Sequence, residues 1–108
     1  MSPMILVYIT CESKEQAEDM GRHLLKKRLV GCINIIPNMH SAYLWPPGKN
    51  RIEENDEVIV LCKTLDTHYK KIETEVLAMH SYKNPAIFAI PILHMSKKYA
   101  DWLTSELA

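Results

Sequence analysis

Residues 80–93, HSYKNPAIFAIPIL, join a polar turn directly to a nearly all-apolar run. The turn carries His80, Tyr82 and Pro85, where polar residues and a proline interrupt the helical pattern that precedes them. The run over 86–93 predicts a buried strand. A histidine and a tyrosine at the mouth of a buried strand can form a ligand-binding corner. The alternative is a tight connection between a helix and a strand, with the polar side chains facing water.

Short runs rich in Val, Ile and aromatic residues indicate four strands along the chain. These strands are predicted over residues 4–10, over 32–36 with a continuation over 39–45 after a kink at Pro37, over 57–64, and over 86–93. The sequence PPGKNR at 46–51 is typical of a turn, so the chain reverses direction there. Residues 52–57 are interpreted as the polar, acid-rich segment in which the chain returns after this turn.

Helical periodicity predicts three helices between and after these strands. Ser13, with Gln16 three residues later, is a capping box at the start of the first helix. The second helix is predicted to begin at Asp66 or Thr67, and the third at Ser96. The residues expected on the apolar sides of the second and third helices are Tyr69, Ile72, Val76 and Met79, and Tyr99, Trp102, Leu103 and Leu107.

The resulting order, β-α-β-β-α-β-α, predicts one α+β domain over residues 1–108. Two β-α-β crossovers that flank a hairpin give a ferredoxin-like split βαβ sandwich, to which a C-terminal helix is added. Right-handed crossovers place both long helices on the same face of the sheet. A chain of 108 residues can bury roughly 65% of its unfolded surface around one core.

The strands are apolar on both sides, whereas a sheet with one solvated face alternates apolar and polar residues. In the first strand Ile5, Val7 and Ile9 oppose Met4, Leu6 and Tyr8; in the third, Val58, Val60 and Cys62 oppose Ile59 and Leu61; in the fourth, Ile87, Ala89 and Pro91 oppose Phe88, Ile90 and Ile92. One apolar face is therefore left without helices. Each full burial of a large apolar side chain contributes about 1.5–3 kcal/mol, so exposure of this whole face is unfavourable. The short C-terminal helix is too small to cover it. We therefore expect a closed homo-oligomer in which sheets pack on one another.

Thirteen basic and thirteen acidic residues give a formal net charge of zero. Proteins that bind nucleic acids or anionic membranes carry a basic excess, so neither partner is expected. No apolar run approaches the ~20 residues of a membrane span. The first residues, MSPMILVYITCE, lack the basic start of a signal peptide. We therefore expect a cytoplasmic protein.

The three cysteines, Cys11, Cys32 and Cys62, are widely spaced. In a reducing compartment such residues are most simply small apolar side chains of the core. The alternative is a redox or soft-metal role, for which Cys11 and Cys32 are the candidates. The sequence contains no C-x-x-C, H-x-x-H or H-E-x-x-H, so no local motif fixes a metal. It also contains no nucleophile elbow, phosphate-binding loop or dinucleotide-binding motif, and we expect a binding protein rather than an enzyme.

Several segments, taken in order, resemble the CutA divalent-ion-tolerance family over nearly the whole chain. They are VYITC at 7–11, KRLVGCINIIP at 27–37, SAYLW at 41–45, IEENDEV at 52–58, HSYKNP at 80–85 and AIPI at 89–92. The resemblance implies a ferredoxin-like subunit in a compact homotrimer. It also implies that copper and other divalent cations are ligands, in a role in metal tolerance. The clefts between subunits of this family are similar to those of PII-type signalling proteins.

His80 is the candidate metal ligand, and copper(II) is the metal that the resemblance implies. An imidazole is a ligand that copper(II) favours. The family's usual turn reads H-P-Y-E-x-P-E, whereas this chain has Lys83 and Ala86 in place of the two carboxylates. A cation site that uses those acids is therefore weakened in this chain.

Trp45 and Lys63 resemble positions that line the family's inter-subunit cleft. With Glu53 and Tyr82 they would form a pocket for a small anion or a zwitterion. This pocket is the basis of an alternative function, a PII-like trimeric sensor of a small molecule. The simpler interpretation is that Lys63 extends from a strand end into water. The acidic group on the hairpin is most simply solvated and protects an edge strand; it comprises Glu53, Glu54, Asp56 and Glu57.

Overall fold

The computed structural model describes residues 3–108, which form an α+β fold with one four-stranded antiparallel sheet and three α-helices. The elements are β1 (Met4–Cys11), α1 (Lys14–Lys26), β2 (Cys32–Leu44), β3 (Ile52–Leu65), α2 (Tyr69–Met79), β4 (Ile87–Pro91) and α3 (Lys97–Glu106). The strand order is β2-β3-β1-β4, so β1 and β3 are central and β2 and β4 are edges. The predicted class and element order are confirmed.

The core lies between one face of the sheet and the helices α1 and α2. Val7 and Ile9 of β1 and Val60 and Cys62 of β3 are 0% exposed, because alternate residues of the central strands point toward the helices. The helix residues that pack against them are Ala17, Met20 and Leu24 of α1 and Ile72 and Val76 of α2. Both long helices therefore pack against the same face of the sheet, as predicted.

Side-chain caps begin α1 and α3 at the predicted residues. The Ser13 hydroxyl oxygen accepts a hydrogen bond from the amide of Gln16, and the Gln16 side chain accepts one from the amide of Glu12. The Ser96 hydroxyl oxygen accepts from the amide of Tyr99. None of the helices within residues 3–108 is long and apolar enough to cross a membrane.

Two predictions about the second helix are wrong. No side chain of Asp66 or Thr67 caps it, because residues 66–68 form a 3-10 turn that leads into α2. Met79, expected on the buried side, is 39% exposed. It is the last residue of the helix, and the buried stripe ends one turn earlier at Val76.

The strands β2 and β3 form a long hairpin whose pairing register changes once, between Ile36 and Met39. Asn38 has a φ of 65° there, a left-handed conformation that asparagine adopts more readily than most residues. The predicted kink at Pro37 is confirmed. The acid-rich segment 52–57 is not a separate return, because it belongs to β3 and pairs with β2 throughout.

The strand β4 is shorter than the predicted 86–93 and pairs only with β1. One backbone hydrogen bond extends the pairing at each end, from the amide of Thr10 to the carbonyl of Ala86 and from the amide of Ile92 to the carbonyl of Met4. The turn that begins at His80 is thereby held against the end of β1.

The face of the sheet away from α1 and α2 is apolar and partly open. Ile36, Phe88 and Ile90 on this face are 45%, 46% and 44% exposed. The helix α3 lies only at one end of it, where the Lys63 Nζ atom is 5.5 Å from the centre of the Tyr99 ring. The prediction of an apolar second face that the C-terminal helix leaves uncovered is confirmed.

Candidate functional site

His80 follows the last residue of α2, and both of its ring nitrogens are hydrogen-bonded to the backbone. Nε2 lies 2.6 Å from the carbonyl oxygen of Thr10, and Nδ1 lies 3.0 Å from the amide nitrogen of Tyr82. A carbonyl only accepts and an amide N–H only donates, so Nε2 carries the proton and Nδ1 carries the lone pair. The imidazole therefore fixes the turn. A metal can bind either nitrogen only if one of these hydrogen bonds breaks.

Tyr82 lies beside His80, with the two ring centroids 4.7 Å apart and the ring planes at 41°. The Tyr82 hydroxyl is buried and makes no hydrogen bond with any residue that the structure describes. Burial and, after it, the neighbouring Glu57 carboxylate raise the pKa of Tyr82 well above its ordinary value. The Glu57 carboxylate is therefore the charged group that acts most strongly on the Tyr82 hydroxyl.

A cavity of about 890 Å³ lies between the β2–β3 hairpin, the turn after His80, and the adjoining ends of β1 and β4. Its aromatic lining residues are Tyr8, Tyr43, Trp45, Tyr82 and Phe88. The rings of Tyr8 and Phe88 are stacked, with centroids 4.7 Å apart and planes at 18°. The volume lies within the range of roughly 300–1,000 Å³ found for small-molecule sites.

Glu57 supplies the one carboxylate among the lining residues in the described part of the chain, and it is 8% exposed. Its side chain forms no ion pair within residues 3–108. The prediction of a solvated acidic group is therefore wrong for Glu57, because the turn that carries Tyr82 packs over this part of β3. The available signal was that Glu57 shares a strand face with Ile59 and Leu61.

Of the four residues predicted to line a cleft, Trp45 and Tyr82 lie together in the wall of this cavity, and Glu53 and Lys63 do not line it. Glu53 and Lys63 are both on β3 and are ten residues apart. At about 3.3 Å per residue this separation is roughly 33 Å. Glu53 pairs with Arg51 near the hairpin turn. A single chain therefore does not bring the four residues to one place.

The three cysteines are free thiols in different surroundings. Cys11 and Cys62 are 0% exposed, and burial is the main cause that raises their pKa values to about 11 and about 12. Both are therefore protonated at neutral pH. Cys32 is half-buried, and its Sγ atom lies 3.9 Å from the Lys63 Nζ atom. A redox or soft-metal role for Cys11 or Cys32 stays a prediction.

No group of three or more His, Cys, Asp or Glu side chains in the described range, 3–108, is arranged to hold a metal ion. His40 illustrates the reason: its Nε2 is 2.8 Å from Glu54 and its Nδ1 is 3.2 Å from Asp56. The ring lies between the carboxylates instead of converging with them on one point. These hydrogen bonds, chiefly that to Glu54, raise the pKa of His40.

The sequence is similar to a known family along almost its full length. A sequence model of that family, described as CutA1 divalent ion tolerance protein, matches residues 5–106. The divalent-cation tolerance protein CutA of Archaeoglobus fulgidus is 40% identical over 97 residues, which cover 90% of this chain and 91% of the relative. These names describe cation tolerance, which is not a class of enzyme.

Solved structures share the fold over the same extent. CutA1 from Oryza sativa superposes with a TM-score of 0.93 at 28% identity, covering 99% of this chain and 95% of that one. The structure of the periplasmic divalent cation tolerance protein CutA from Archaeoglobus fulgidus gives a TM-score of 0.91 at 36% identity, covering 97% and 99%. Since the family match spans residues 5–106, the chain belongs to the CutA1 divalent ion tolerance protein family.

Proposed function

We propose that this protein binds divalent cations, copper(II) in particular, in a role in cation tolerance and without catalytic turnover. The observation that carries the proposal is the family match over residues 5–106. His80 is the proposed protein ligand, because imidazole suits copper(II) and the ring is held in a fixed orientation at the end of α2. The cation is cargo in this proposal, not a resident cofactor.

We further propose that the functional unit is a compact homotrimer of ferredoxin-like subunits. The open apolar face of the sheet supports this assembly, since Phe88 and Ile90 remain nearly half exposed in the single chain. The edge strands β2 and β4 each have one side without a strand partner in the described sheet. Unpaired strand edges are common places for pairing with a second chain.

The copper site of this proposal is completed between subunits. Within the part of the chain that the structure describes, one copy lacks a convergent set of ligands. His80 would bind through Nδ1, whose lone pair now accepts the amide of Tyr82, because Nε2 carries the proton. Lys83 and Ala86 stand where the family's usual turn has carboxylates, so the remaining ligands come from elsewhere.

Equilibrium dialysis against copper(II) tests the ligand, with His80→Ala compared with wild type and with His94→Ala as the matched control. His94 is exposed, so its removal changes the histidine count without touching the turn. We expect copper binding to be lost in His80→Ala and kept in His94→Ala. Equal binding by all three proteins removes His80 from the proposal. A solution mass of three times 12.5 kDa tests the trimer.

A second candidate function is a trimeric sensor that binds a small molecule. The cavity of about 890 Å³, with Trp45 and Tyr82 in its wall, favours this candidate. Thermal unfolding in the presence of a chelator, screened against soluble metabolites, measures it without interference from metals. A rise in melting temperature with one compound supports the sensor. A complete screen without any shift counts against it.

We propose a cytoplasmic location, with neither nucleic acid nor membrane as a partner. The balanced charge of the chain supports the exclusion of nucleic acids and of anionic membranes as partners. The word periplasmic in the name of the Archaeoglobus structure applies to that protein. Fractionation of cells into cytoplasm and envelope, followed by immunodetection, tests the location.

A further inference from the structure

We infer that the turn of residues 81–85 is a switch that a bound cation opens. The switch rests on the metal-binding proposal, because it regulates the same site at His80. The cation and the backbone amide of Tyr82 require the same lone pair, on Nδ1 of the His80 ring. Binding of the cation therefore releases Tyr82 from the ring.

Either ring nitrogen, when it binds the cation, costs the turn this hydrogen bond. A cation on Nδ1 takes the lone pair that accepts the Tyr82 N–H, whose nitrogen is 3.0 Å away. A cation on Nε2 moves the proton to Nδ1, because a neutral imidazole carries one N–H and one lone pair. The ring N–H then faces the Tyr82 N–H, and the bond from Nε2 to the Thr10 carbonyl oxygen is lost as well.

The turn has few other attachments to the rest of the fold. Within the described range, no backbone-to-backbone hydrogen bond outside the helices and strands involves residues 81–85. The amide of Tyr82 donates to the His80 ring, and Nε2 of Gln16 donates to the hydroxyl oxygen of Ser81 at 2.8 Å. A segment held by so few hydrogen bonds opens at a low cost in free energy.

The residues on either side of the turn are held by bonds that do not use the imidazole. The amide of His80 donates to the carbonyl oxygen of Val76 at 2.9 Å. The carbonyl oxygen of Ala86 accepts from the amide of Thr10 at 3.2 Å. The opening is therefore confined to residues 81–85, and β4 keeps its pairing with β1.

The closed turn, as it is in the structure, and the open turn differ in their affinity for the cation. The lone pair on Nδ1 is occupied in the closed turn and free in the open one, and this difference is the condition for a switch. The apparent affinity is the intrinsic affinity reduced by the fraction of open turns. A substitution that destabilises the closed turn without touching His80 should therefore strengthen cation binding, whereas simple damage to the site weakens it.

Hydrogen–deuterium exchange, read by mass spectrometry, tests the switch in the assembled protein. With a chelator present, we expect the amide of Tyr82 to be the protected one within residues 81–85. Saturation with copper(II) should speed its exchange about tenfold or more, while the amides of β4 stay protected. His80→Ala should show the same fast exchange without any cation. His94→Ala, the control, should match wild type.

Equilibrium dialysis against copper(II) tests the coupling between the turn and the site. Ser81→Ala removes the acceptor of the Gln16 side chain and leaves the imidazole intact. It should lower the Kd for copper roughly two- to tenfold, the factor that corresponds to one hydrogen bond. Ser105→Ala is the matched control, because it also removes one side-chain hydrogen bond, to the carbonyl oxygen of Trp102 on α3, and it should leave the Kd unchanged.

The possible failures separate the switch from the metal-binding proposal. Copper that binds through His80 while the Tyr82 amide still exchanges slowly rejects the switch and leaves the proposal intact. An amide that already exchanges fast with chelator, or a Kd that is unchanged or raised in Ser81→Ala, likewise rejects the switch alone. Copper binding that does not depend on His80 rejects the proposed ligand and the switch together. The exchange measurement with copper uses wild type, so it stays decisive if His80→Ala fails to fold.

Discussion

The two faces of the sheet are built from the same strands but have different surroundings. On the helix-covered face, Val7, Ile9 and Val60 are 0% exposed. On the opposite face, the neighbouring residues Phe88 and Ile90 are almost half exposed although they are as apolar. Burial in the single chain thus depends on whether a helix packs over the strand, and composition alone does not decide it.

The two faces of the sheet therefore have different roles in stability. The helix-covered face stabilises the subunit, because its side chains are already removed from water. The open face contributes little to the single chain, and its apolar area becomes useful only when another surface covers it. Substitutions on the two faces should therefore act on different measurable quantities.

Ile9→Ala is expected to produce the largest effect on the subunit. The side chain is fully buried in the core, so its truncation should lower the free energy of unfolding by about 2–5 kcal/mol. Leu77→Ala, at a position on α2 that is 51% exposed, is the control and should change it by less than about 0.5 kcal/mol. Denaturant unfolding followed by circular dichroism measures both. Similar losses in the two variants would contradict the assignment of the core.

Phe88→Glu should act on assembly instead. A carboxylate at this position would be buried without a partner if sister copies cover the open face, so each interface should lose about 2 kcal/mol or more. Sedimentation velocity should show the mass falling toward the 12.5 kDa of one chain. Leu93→Glu, at a residue that is 88% exposed and outside β4, introduces the same charge as a control. A Phe88→Glu protein that remains a trimer would show that another surface forms the interface.

Thr64→Val probes a buried hydroxyl on the helix-covered face of the sheet. The Thr64 Oγ1 atom donates to the carbonyl oxygen of Leu29 at 2.6 Å, and the residue is 0% exposed. Valine keeps the shape but leaves that carbonyl unsatisfied, so the free energy of unfolding should fall by about 1–3 kcal/mol. Thr64→Ser, which keeps the hydroxyl, should recover part of this loss. If valine is as stable as threonine, the hydrogen bond does not contribute.

The features that the sequence predicted correctly depend on residues close together in the chain. The Ser13 cap needs only Gln16, and strand alternation in β1 needs only its own residues. The cap at Asp66 or Thr67 was wrong although the residue types are suitable, because the chain forms a 3-10 turn there before the α-helix begins. Propensity is a weak guide where two helical geometries compete.

The candidate site was harder to predict because it depends on contacts distant in sequence. The burial of Glu57 requires the turn around Tyr82, which is about a quarter of the chain away, to pack over β3. Glu53 and Lys63 are far apart because residues 52–65 form a single extended strand, whereas the sequence predicted a strand over 57–64 only. The hydrogen bond from His80 to Thr10 likewise joins residues 70 positions apart, which no local pattern reveals.

The smallest expected effect is a pH dependence of stability. It comes from His40 on the β2–β3 hairpin, beyond the helix-covered part of the sheet. The Glu54 and Asp56 carboxylates raise the pKa of His40 above 6.5, so the folded state binds this proton more tightly than the unfolded chain does. The stabilisation is fully present below pH 6.5 and is lost as the pH rises through the higher folded pKa.

His40→Gln should therefore remove a small stabilisation at about pH 5 and change nothing at about pH 8. The three side chains are largely exposed, so the effect should also shrink at high salt. Thermal unfolding at both pH values compares the variant with wild type, and an NMR titration of the His40 ring gives the pKa directly. A folded-state pKa at or below the ordinary value would contradict the ion pairs. A stability difference that persists at high pH would instead show that His40 acts through packing, as the buried residues of the helix-covered face do.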